Sequence, residues 1–234
     1  MVIPAAGKGK RMGAPLSKQY LKLEGRPLLA YTLETFLHLK PRRLVVVVAP
    51  GEEDLFRQEV FPSLPPYREE LVVTAGGAER QDSVYNGIRA LPPGIGYICV
   101  HDGARPLVTA ALVRAVLEAA RESGAAAACV PLKDTIKEID AGGFGVATPP
   151  RKNYVAVQTP QIFSGEVLLK ALEKAGREGF RATDETALVE KYGGRVRTVP
   201  GSFANIKVTT PEDLLWAGVL LKERRRGDAD RIGL

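Results

Sequence analysis

The feature that most constrains the fold is a loop rich in glycine and positive charge, directly after the apolar pair Val2 and Ile3. The loop contains Gly7, Lys8, Gly9, Lys10, Arg11 and Gly13. Glycine lets the backbone approach a ligand closely and turn several N–H groups toward one anion. With Lys18, four cations lie within this stretch, which suits a polyanion such as a nucleoside triphosphate. We therefore interpret the stretch as a phosphate-binding loop.

Apolar runs alternate with helix-like segments over the first 131 residues. The pattern predicts strands at 43–49, 71–74, 97–101 and 125–131, and helices at 27–39, 52–61, 81–90 and 109–123. This alternation predicts an α/β fold, a mostly parallel sheet with helices on both faces. Ligands bind such sheets at the carboxyl ends of the strands. We expect the loops 7–13, 76–83 and 102–105 to meet there.

The pattern changes between 134 and 158. Residues 135–139 and 153–157 alternate like strands, with turn residues between them. We expect an extended two-stranded arm, which a second subunit would cover because a lone hairpin is marginal in water. The α/β pattern then resumes, with helices at 164–175, 184–192 and 211–224, a strand at 196–200 and a frayed tail at 227–234. We expect 1–234 to form a single domain.

Composition excludes several classes of function. The net charge is +6, but basic residues are spread out and aromatic residues make up only 6% of the chain, so a nucleic-acid surface is not expected. No apolar run is long enough for a membrane span and no signal peptide is recognised, so we expect a cytoplasmic protein. Cys99 and Cys129 lie in apolar runs and are expected to be buried. With only two histidines, no cluster of metal ligands is expected.

Six motifs occur in an order that is typical of one family. They are PAAGKGKRMG (4–13), KQYL (18–21), HDGARP (101–106), TPQ (159–161), TDE (183–185) and NIKVT (205–209). Together they resemble the 2-C-methyl-D-erythritol 4-phosphate cytidylyltransferases of the non-mevalonate isoprenoid pathway, from Met1 to about Leu221. The resemblance implies a Rossmann-like nucleotidyltransferase domain, and a homodimer formed through the arm. Ribitol 5-phosphate cytidylyltransferase shares most of these motifs and stays an alternative.

The resemblance also implies a reaction, in which CTP and a sugar-alcohol phosphate form a CDP-alcohol and pyrophosphate with Mg²⁺. A phosphate oxygen of the acceptor attacks the α-phosphorus of CTP. Because a phosphate monoester is ionised at neutral pH, no strong base is needed. Catalysis then consists of positioning and of neutralising the charge that builds up in the transition state.

Matching positions receive their roles from the resemblance. The resemblance implies that the catalytic cations are Arg11 and Lys18, which hold the triphosphate and stabilise the transition state, and Lys207, which lies beside the α-phosphate and the incoming phosphate. The CTP site comprises Ala5, Ala6, Gly7, Gly9, Gly77, Asp82, Ser83 and Asp102. The acceptor site comprises Thr135, Arg151, Thr183 and Lys207, with Thr135 and Arg151 reaching across the dimer interface. Asp102 is the one candidate metal ligand, because the phosphates are expected to hold most of the Mg²⁺.

Simpler roles are open for several residues. Arg105 could be the ion-pair partner of a carboxylate, Asp184 could cap a helix, and we expect His101 to be a packed core histidine without a catalytic role. Lys152 lies beside Arg151, so either could supply the cation of the arm.

Two other functions compete with the transferase. The spacing of Gly7, Gly9 and Gly13 is close to a dinucleotide-binding fingerprint, and Glu52 or Glu53 could bind a ribose as in a dinucleotide-dependent oxidoreductase. The cations of the loop argue against this reading. A non-catalytic nucleotide-binding module is the other alternative, but it would not need both Lys18 and Lys207.

Overall fold

The fold is built around a mixed seven-stranded sheet, seen in a computed structural model that describes residues 1–7, 17–66, 68 and 70–232. The strands are β1 Val2–Pro4, β2 Lys22–Leu23, β3 Arg26–Pro27, β4 Leu44–Val48, β5 Leu71–Ala75, β6 Tyr97–Val100, β7 Ala125–Pro131, β8 Glu138–Ile139, β9 Gly145–Ala147, β10 Val155–Ser164 and β11 Arg197–Pro200. The helices are α1 Leu28–His38, α2 Glu53–Glu59, α3 Arg80–Arg89, α4 Ala110–Ser123, α5 Gly165–Glu178, α6 Glu185–Lys191 and α7 Pro211–Ile232. Within these ranges, no helix has the length and apolar character needed to cross a membrane.

The strands of the large sheet lie in the order β11-β7-β10-β6-β1-β4-β5. Parallel pairs join β1 to β4 and β6, β4 to β5, and β11 to β7. In contrast, β10 runs antiparallel to both β6 and β7. The predicted mostly parallel sheet, flanked by helices, is confirmed.

The central strands are buried on both faces. Val46 of β4 packs in one core with Phe36 of α1, whereas its neighbour Val45 packs in the other core with Val84 of α3. Successive side chains of a strand point to opposite faces, so each core receives every second residue. Two buried faces explain why 43–49 is a continuous apolar run in the sequence.

The hairpin arm is present, but the prediction of its second strand was wrong. β8 pairs with β9, whereas the predicted strand at 153–157 overlaps the start of β10, Val155–Ser164, which lies between β6 and β7 in the large sheet. Residues 158–163 are buried there. Hydrophobic periodicity did not indicate this part of the strand, because Thr159 and Gln161 are polar. In the fold both are buried and form hydrogen bonds with residues that are distant in sequence.

The arm exposes large apolar side chains. Ile139 is 63% exposed, Phe144 is 74% exposed and Val146 is 58% exposed. Such a surface is unusual for a hairpin that faces only water, and it is compatible with a partner subunit. The dimerisation role of 134–158 and the single-domain organisation of 1–234 stay predictions.

Two helices extend further than predicted. α5 ends at Glu178, where Gly179 adopts a positive φ of 66° and stops the helix. α7 continues past the expected end at 224 to Ile232. The fraying of 227–234 stays a prediction.

Asp184 caps α6, as predicted. Its Oδ1 accepts a hydrogen bond of 2.9 Å from the Ala187 backbone N–H and one of 2.8 Å from the Thr186 hydroxyl. Its Oδ2 accepts a hydrogen bond of 2.8 Å from Gln161 Nε2. The cap therefore also ties α6 to β10.

His101 is a packed core histidine, as predicted. Its side chain is fully buried, with its ring centroid 5.0 Å from that of Phe36. Nδ1 lies 3.0 Å from Thr159 Oγ1, and Nε2 lies 3.4 Å from the Arg105 carbonyl oxygen. Burial lowers the pKa of the imidazole to about 3, so the ring is neutral at physiological pH.

We predict that mild acid destabilises the fold through His101. The pKa of this imidazole is about 3 in the folded chain but about 6.5 in an unfolded one. The unfolded state therefore binds the proton more strongly. The contribution of neutral His101 to stability is complete above about pH 6.5 and decreases as the pH falls toward 3, by at most about 1.4 kcal/mol per pH unit.

Urea unfolding at a series of pH values tests this. His101→Gln cannot take up the proton, so its free energy of unfolding should depend less steeply on pH below about 6.5. His38→Gln, on the exposed side of α1, is the matched control and should keep the wild-type slope. An unchanged slope in His101→Gln would contradict the prediction.

Candidate active site

A cavity of about 600 Å³ opens at the carboxyl ends of β1, β4, β5 and β6. Its lining consists of Pro4, Ala5, Ala6, Gly7, Lys18, Gln19, Ala49, Pro50, Gly77, Ala78, Glu79, Arg80, Ser83, Asp102, Ala104 and Lys207. The structure thus brings Gly7 and parts of the loops 76–83 and 102–105 to one edge of the sheet. Arg11 and Gly9 lie outside the described residues, so their roles stay predictions.

A tight glycine turn forms one wall. A Cβ atom on Gly76 would lie 2.7 Å from both Ala6 Cβ and Ser83 Oγ, so only glycine allows this approach. The Gly77 backbone N–H donates a hydrogen bond of 3.1 Å to Ser83 Oγ. The Ser83 hydroxyl in turn donates to the Glu79 carbonyl at 3.1 Å. The turn therefore fixes the backbone of 77 and the hydroxyl of Ser83 at the wall of the cavity.

Asp82 does not belong to the lining. Its Oδ2 accepts a hydrogen bond of 3.2 Å from the Glu79 backbone N–H in the capping box of α3, and its Oδ1 pairs with Arg181. The hydrogen bond from Arg181 lowers the pKa of the Asp82 carboxyl. The structure therefore gives this side chain a part in the helix cap, while its neighbour Ser83 faces the cavity.

Asp102 is the charge at the centre of the site. Its Oδ2 lies 2.9 Å from Lys207 Nζ and 3.6 Å from Arg105 Nε, and its Oδ1 lies 3.5 Å from an Arg80 guanidinium nitrogen. Burial opposes ionisation of this carboxyl. The positive charges of Lys207, Arg80 and Arg105 outweigh burial and hold its pKa well below the usual range. The ion-pair role of Arg105 is thereby confirmed.

The segment that carries Lys207 is attached to the Asp102 loop on both sides of the lysine. The Val208 backbone N–H donates to the Ala104 carbonyl at 2.8 Å, and Arg105 donates to the Asn205 carbonyl at 2.7 Å. These two contacts bracket Lys207 and fix its backbone. Its side chain, 39% exposed, can therefore reach both Asp102 and the cavity.

Lys18 also contacts the segment that carries Lys207. It begins a short 3-10 turn, and its Nζ donates a hydrogen bond of 2.9 Å to the Val208 carbonyl. The turn is held by Glu52, which accepts hydrogen bonds from the Ser17 hydroxyl at 2.5 Å and from Gln19 Nε2 at 3.3 Å. Glu52, which a dinucleotide-dependent enzyme would use for a ribose, is thus engaged in holding Lys18.

An ion pair that the sequence did not predict includes one residue of the cavity lining, Arg80. Arg80 donates two hydrogen bonds, of 2.8 and 2.9 Å, to the two carboxylate oxygens of Glu185. Glu185 is 2% exposed. Both residues lie in stretches that were singled out, the loop 76–83 and the TDE motif, but 105 positions separate them. Nothing in a single sequence indicates such a pairing.

The predicted acceptor residues of the arm do not line the cavity of their own chain. Thr135 and Arg151 are exposed, and the Arg151 guanidinium contacts the carbonyl of Lys133, the residue just before the arm. Lys152 is exposed beside it, and Thr183 is exposed before α6. Of the predicted acceptor residues, Lys207 alone lies at the cavity of this subunit, among the residues that the structure describes.

The described residues do not offer a preformed metal centre. No group of three or more His, Cys, Asp or Glu side chains is arranged to hold an ion within them. Cys99 and Cys129 are buried free thiols, as predicted. In the lining, Ser83 donates to a backbone carbonyl and no histidine lies beside it, so the described lining holds no serine–histidine pair.

Comparison with known proteins identifies the family. The family model of 2-C-methyl-D-erythritol 4-phosphate cytidylyltransferase (IspD) matches residues 1–223. The protein of that name from Desulforamulus reducens is 47% identical over 224 residues, which cover 95% of each chain. The one from Pelotomaculum thermopropionicum is 44% identical over 225 residues, which cover 96% of this chain and 94% of the relative.

Solved structures agree with the sequence comparison. The crystal structure of 2-C-methyl-D-erythritol 4-phosphate cytidylyltransferase from Thermus thermophilus aligns with a TM-score of 0.77 and 36% identity, covering 94% of this chain and 97% of that one. The 4-diphosphocytidyl-2C-methyl-D-erythritol synthase from Anaerococcus prevotii aligns with a TM-score of 0.83 and 29% identity, covering 94% and 96%. The fold, the cavity and these matches together place the chain in the 2-C-methyl-D-erythritol 4-phosphate cytidylyltransferase family of enzymes.

Proposed function

We propose that this enzyme transfers CMP from CTP to 2-C-methyl-D-erythritol 4-phosphate and releases pyrophosphate. The observation that carries the proposal is the pair of lysines, Lys18 and Lys207, that converge on one cavity beside the buried Asp102. Full-length relatives named for this activity support the same substrates. No observation favours ribitol 5-phosphate as the acceptor.

The charge of the site fits the chemistry of phosphoryl transfer. The acceptor phosphate is already anionic, so the reaction needs no general base. The negative charge on the α-phosphate and on the departing pyrophosphate must instead be neutralised. Lys18 and Lys207 are proposed to supply this positive charge, with Lys207 acting on the α-phosphate and the incoming phosphate. Arg11, in the phosphate loop, is proposed to act with them.

We propose that the nucleotide base binds against the glycine turn and Ser83, which line the same cavity as the two lysines. Cytosine presents an amino group as donor and O2 and N3 as acceptors, which backbone groups and a hydroxyl can complement. We assign this recognition to the backbone of 5–7 and Gly77 and to the hydroxyl of Ser83, all of which line the cavity. Gly9 is proposed to extend this cradle toward the phosphates.

A magnesium ion, Mg²⁺, would neutralise charge on the triphosphate. The chemistry of the site fits a hard cation, because the Asp102 carboxyl is ionised and its Oδ1 is no closer than 3.5 Å to Arg80. One carboxylate together with substrate phosphates is a common way in which proteins hold Mg²⁺. Asp102 is therefore proposed as the ligand that the protein contributes.

The acceptor site is proposed to be completed by a second subunit. Thr135 and Arg151 of the arm do not line the cavity of their own chain, and the arm exposes a large apolar surface. A homodimer in which the arms cross would cover that surface and bring Arg151 to the acceptor phosphate of the neighbouring site. Thr183 is proposed to contact the acceptor from within the subunit.

Pyrophosphate release tests the reaction. With CTP and Mg²⁺, we expect release when 2-C-methyl-D-erythritol 4-phosphate is present and little release with ribitol 5-phosphate. Release with ribitol 5-phosphate but not with 2-C-methyl-D-erythritol 4-phosphate would leave the site assignments unchanged and would show that the acceptor is ribitol 5-phosphate. If neither compound causes release, the proposed function is wrong.

Removal of either lysine should abolish most of the activity. We expect Lys18→Ala and Lys207→Ala each to lower kcat/KM by at least about 100-fold, because a preorganised charge is lost where transition-state charge develops. Lys22→Ala is the matched control, since Lys22 forms an exposed ion pair with Glu59 and should change the rate little. Turnover near the wild-type rate in either variant would refute its catalytic role.

A further inference from the structure

The ion pair of Arg80 and Glu185 has an unusual position relative to the cavity. Arg80 lines the cavity and its side chain is 30% exposed, whereas Glu185 is 2% exposed and does not line it. The carboxylate therefore forms a second layer behind the guanidinium. Both of its oxygens accept from Arg80, at 2.8 and 2.9 Å. A two-point contact of this kind fixes the plane of a guanidinium, not only its position.

Arg80 also lies between two carboxylates. The guanidinium nitrogen that donates to Glu185 at 2.9 Å is 3.5 Å from Asp102 Oδ1. Without Glu185, the same guanidinium could turn fully to Asp102 and form a closer pair. Glu185 thereby competes with Asp102 for the guanidinium, which makes its shorter contacts to Glu185 and its longer contact, 3.5 Å, to Asp102 Oδ1.

The carboxylate stands on a rigid support. Glu185 is the first residue of α6, directly after the cap Asp184, and the next turn of the helix packs Leu188 and Val189 in the core with 1% exposure each. A group held in this way keeps its partner in one geometry before a ligand arrives, which lowers the cost of binding.

Stability alone does not explain the pair. The free energy needed to remove two charges from water is about as large as the free energy gained from their attraction. A buried ion pair is therefore weak evidence for a stabilising role. Arg80 faces the cavity and Glu185 is buried behind it. This arrangement is better explained if Glu185 positions Arg80.

We propose that Glu185 is a positioning residue for nucleotide binding, because it orients the Arg80 guanidinium at the wall of the cavity and holds it away from Asp102. This inference rests on the proposed function, since it takes CTP as the ligand. Glu185 does not contact the nucleotide itself and acts only through Arg80.

Calorimetric titration of the enzyme with CTP and Mg²⁺ tests the inference in the absence of turnover. We expect Glu185→Gln to weaken CTP binding about tenfold, because glutamine can accept only one of the two hydrogen bonds and carries no charge. Glu185→Asp keeps the charge and should recover part of the loss. Glu190→Gln, at an exposed position of the same helix, is the matched control and should bind CTP like the wild type.

A double-mutant cycle separates positioning from a merely structural role. Arg80→Gln should weaken CTP binding and also lower the melting temperature, because it leaves Glu185 buried and unpaired. Adding Glu185→Gln to that variant should raise the melting temperature again and weaken CTP binding no further. If Glu185 had a purely structural role, Glu185→Gln alone would lower the melting temperature and leave the affinity for CTP unchanged.

Two results would overturn the inference. One is a wild-type affinity for CTP in Glu185→Gln, and the other is an equal loss of affinity from Glu185→Gln with and without Arg80. The wild-type titration distinguishes these from a failure of the proposed function. If the wild-type enzyme binds no CTP, the proposed function itself is wrong, and the inference falls with it.

Discussion

The site depends on one buried negative charge, the carboxylate of Asp102, and on the cations that surround it. Lys207, Arg105 and Arg80 approach this carboxylate from three different parts of the chain. Its backbone is fixed as well, because the Asp102 N–H donates a hydrogen bond of 3.0 Å to Thr159 Oγ1. Without this charge, three cations would face one another in a confined space, at an energetic cost. Asp102 therefore allows a site with an excess of positive charge to exist before the nucleotide binds.

The sheet supplies the geometry that brings these charges together. The carboxyl ends of β1, β4, β5 and β6 meet at one edge, so the short loops that follow them share one cavity. The antiparallel strand β10 adds Thr159 to this edge, and His101, being neutral, adds no further positive charge beside the cations. Asn205 then ties the last segment to β10, since its side chain donates to the Thr159 carbonyl at 2.8 Å. This attachment places Lys207 at the cavity.

Much of this arrangement could be predicted from local sequence. Continuous apolar runs indicated strands with two buried faces, glycine-rich loops indicated the binding edge, and Asp184 and His101 had the predicted cap and core roles. The start of β10 was predicted as a strand, but its continuation into the large sheet was missed because Thr159 and Gln161 are polar residues whose hydrogen-bond partners lie far away in the sequence. The pair of Arg80 and Glu185 was missed for the same reason. The local pattern of apolar and polar residues indicates which positions of a helix or strand are buried. It does not indicate the partners of a buried polar side chain, because these depend on which distant element packs beside that side chain.

The most direct test of the central charge is the rate of pyrophosphate release by Asp102→Asn at saturating CTP and acceptor. Asparagine has nearly the shape of aspartate but cannot balance the surrounding cations or bind Mg²⁺ as a carboxylate. We expect Asp102→Asn to react at a rate at least about 100-fold below that of the wild type, with a folded chain confirmed by its thermal unfolding. A folded Asp102→Asn enzyme that releases pyrophosphate at close to the wild-type rate would contradict this expectation.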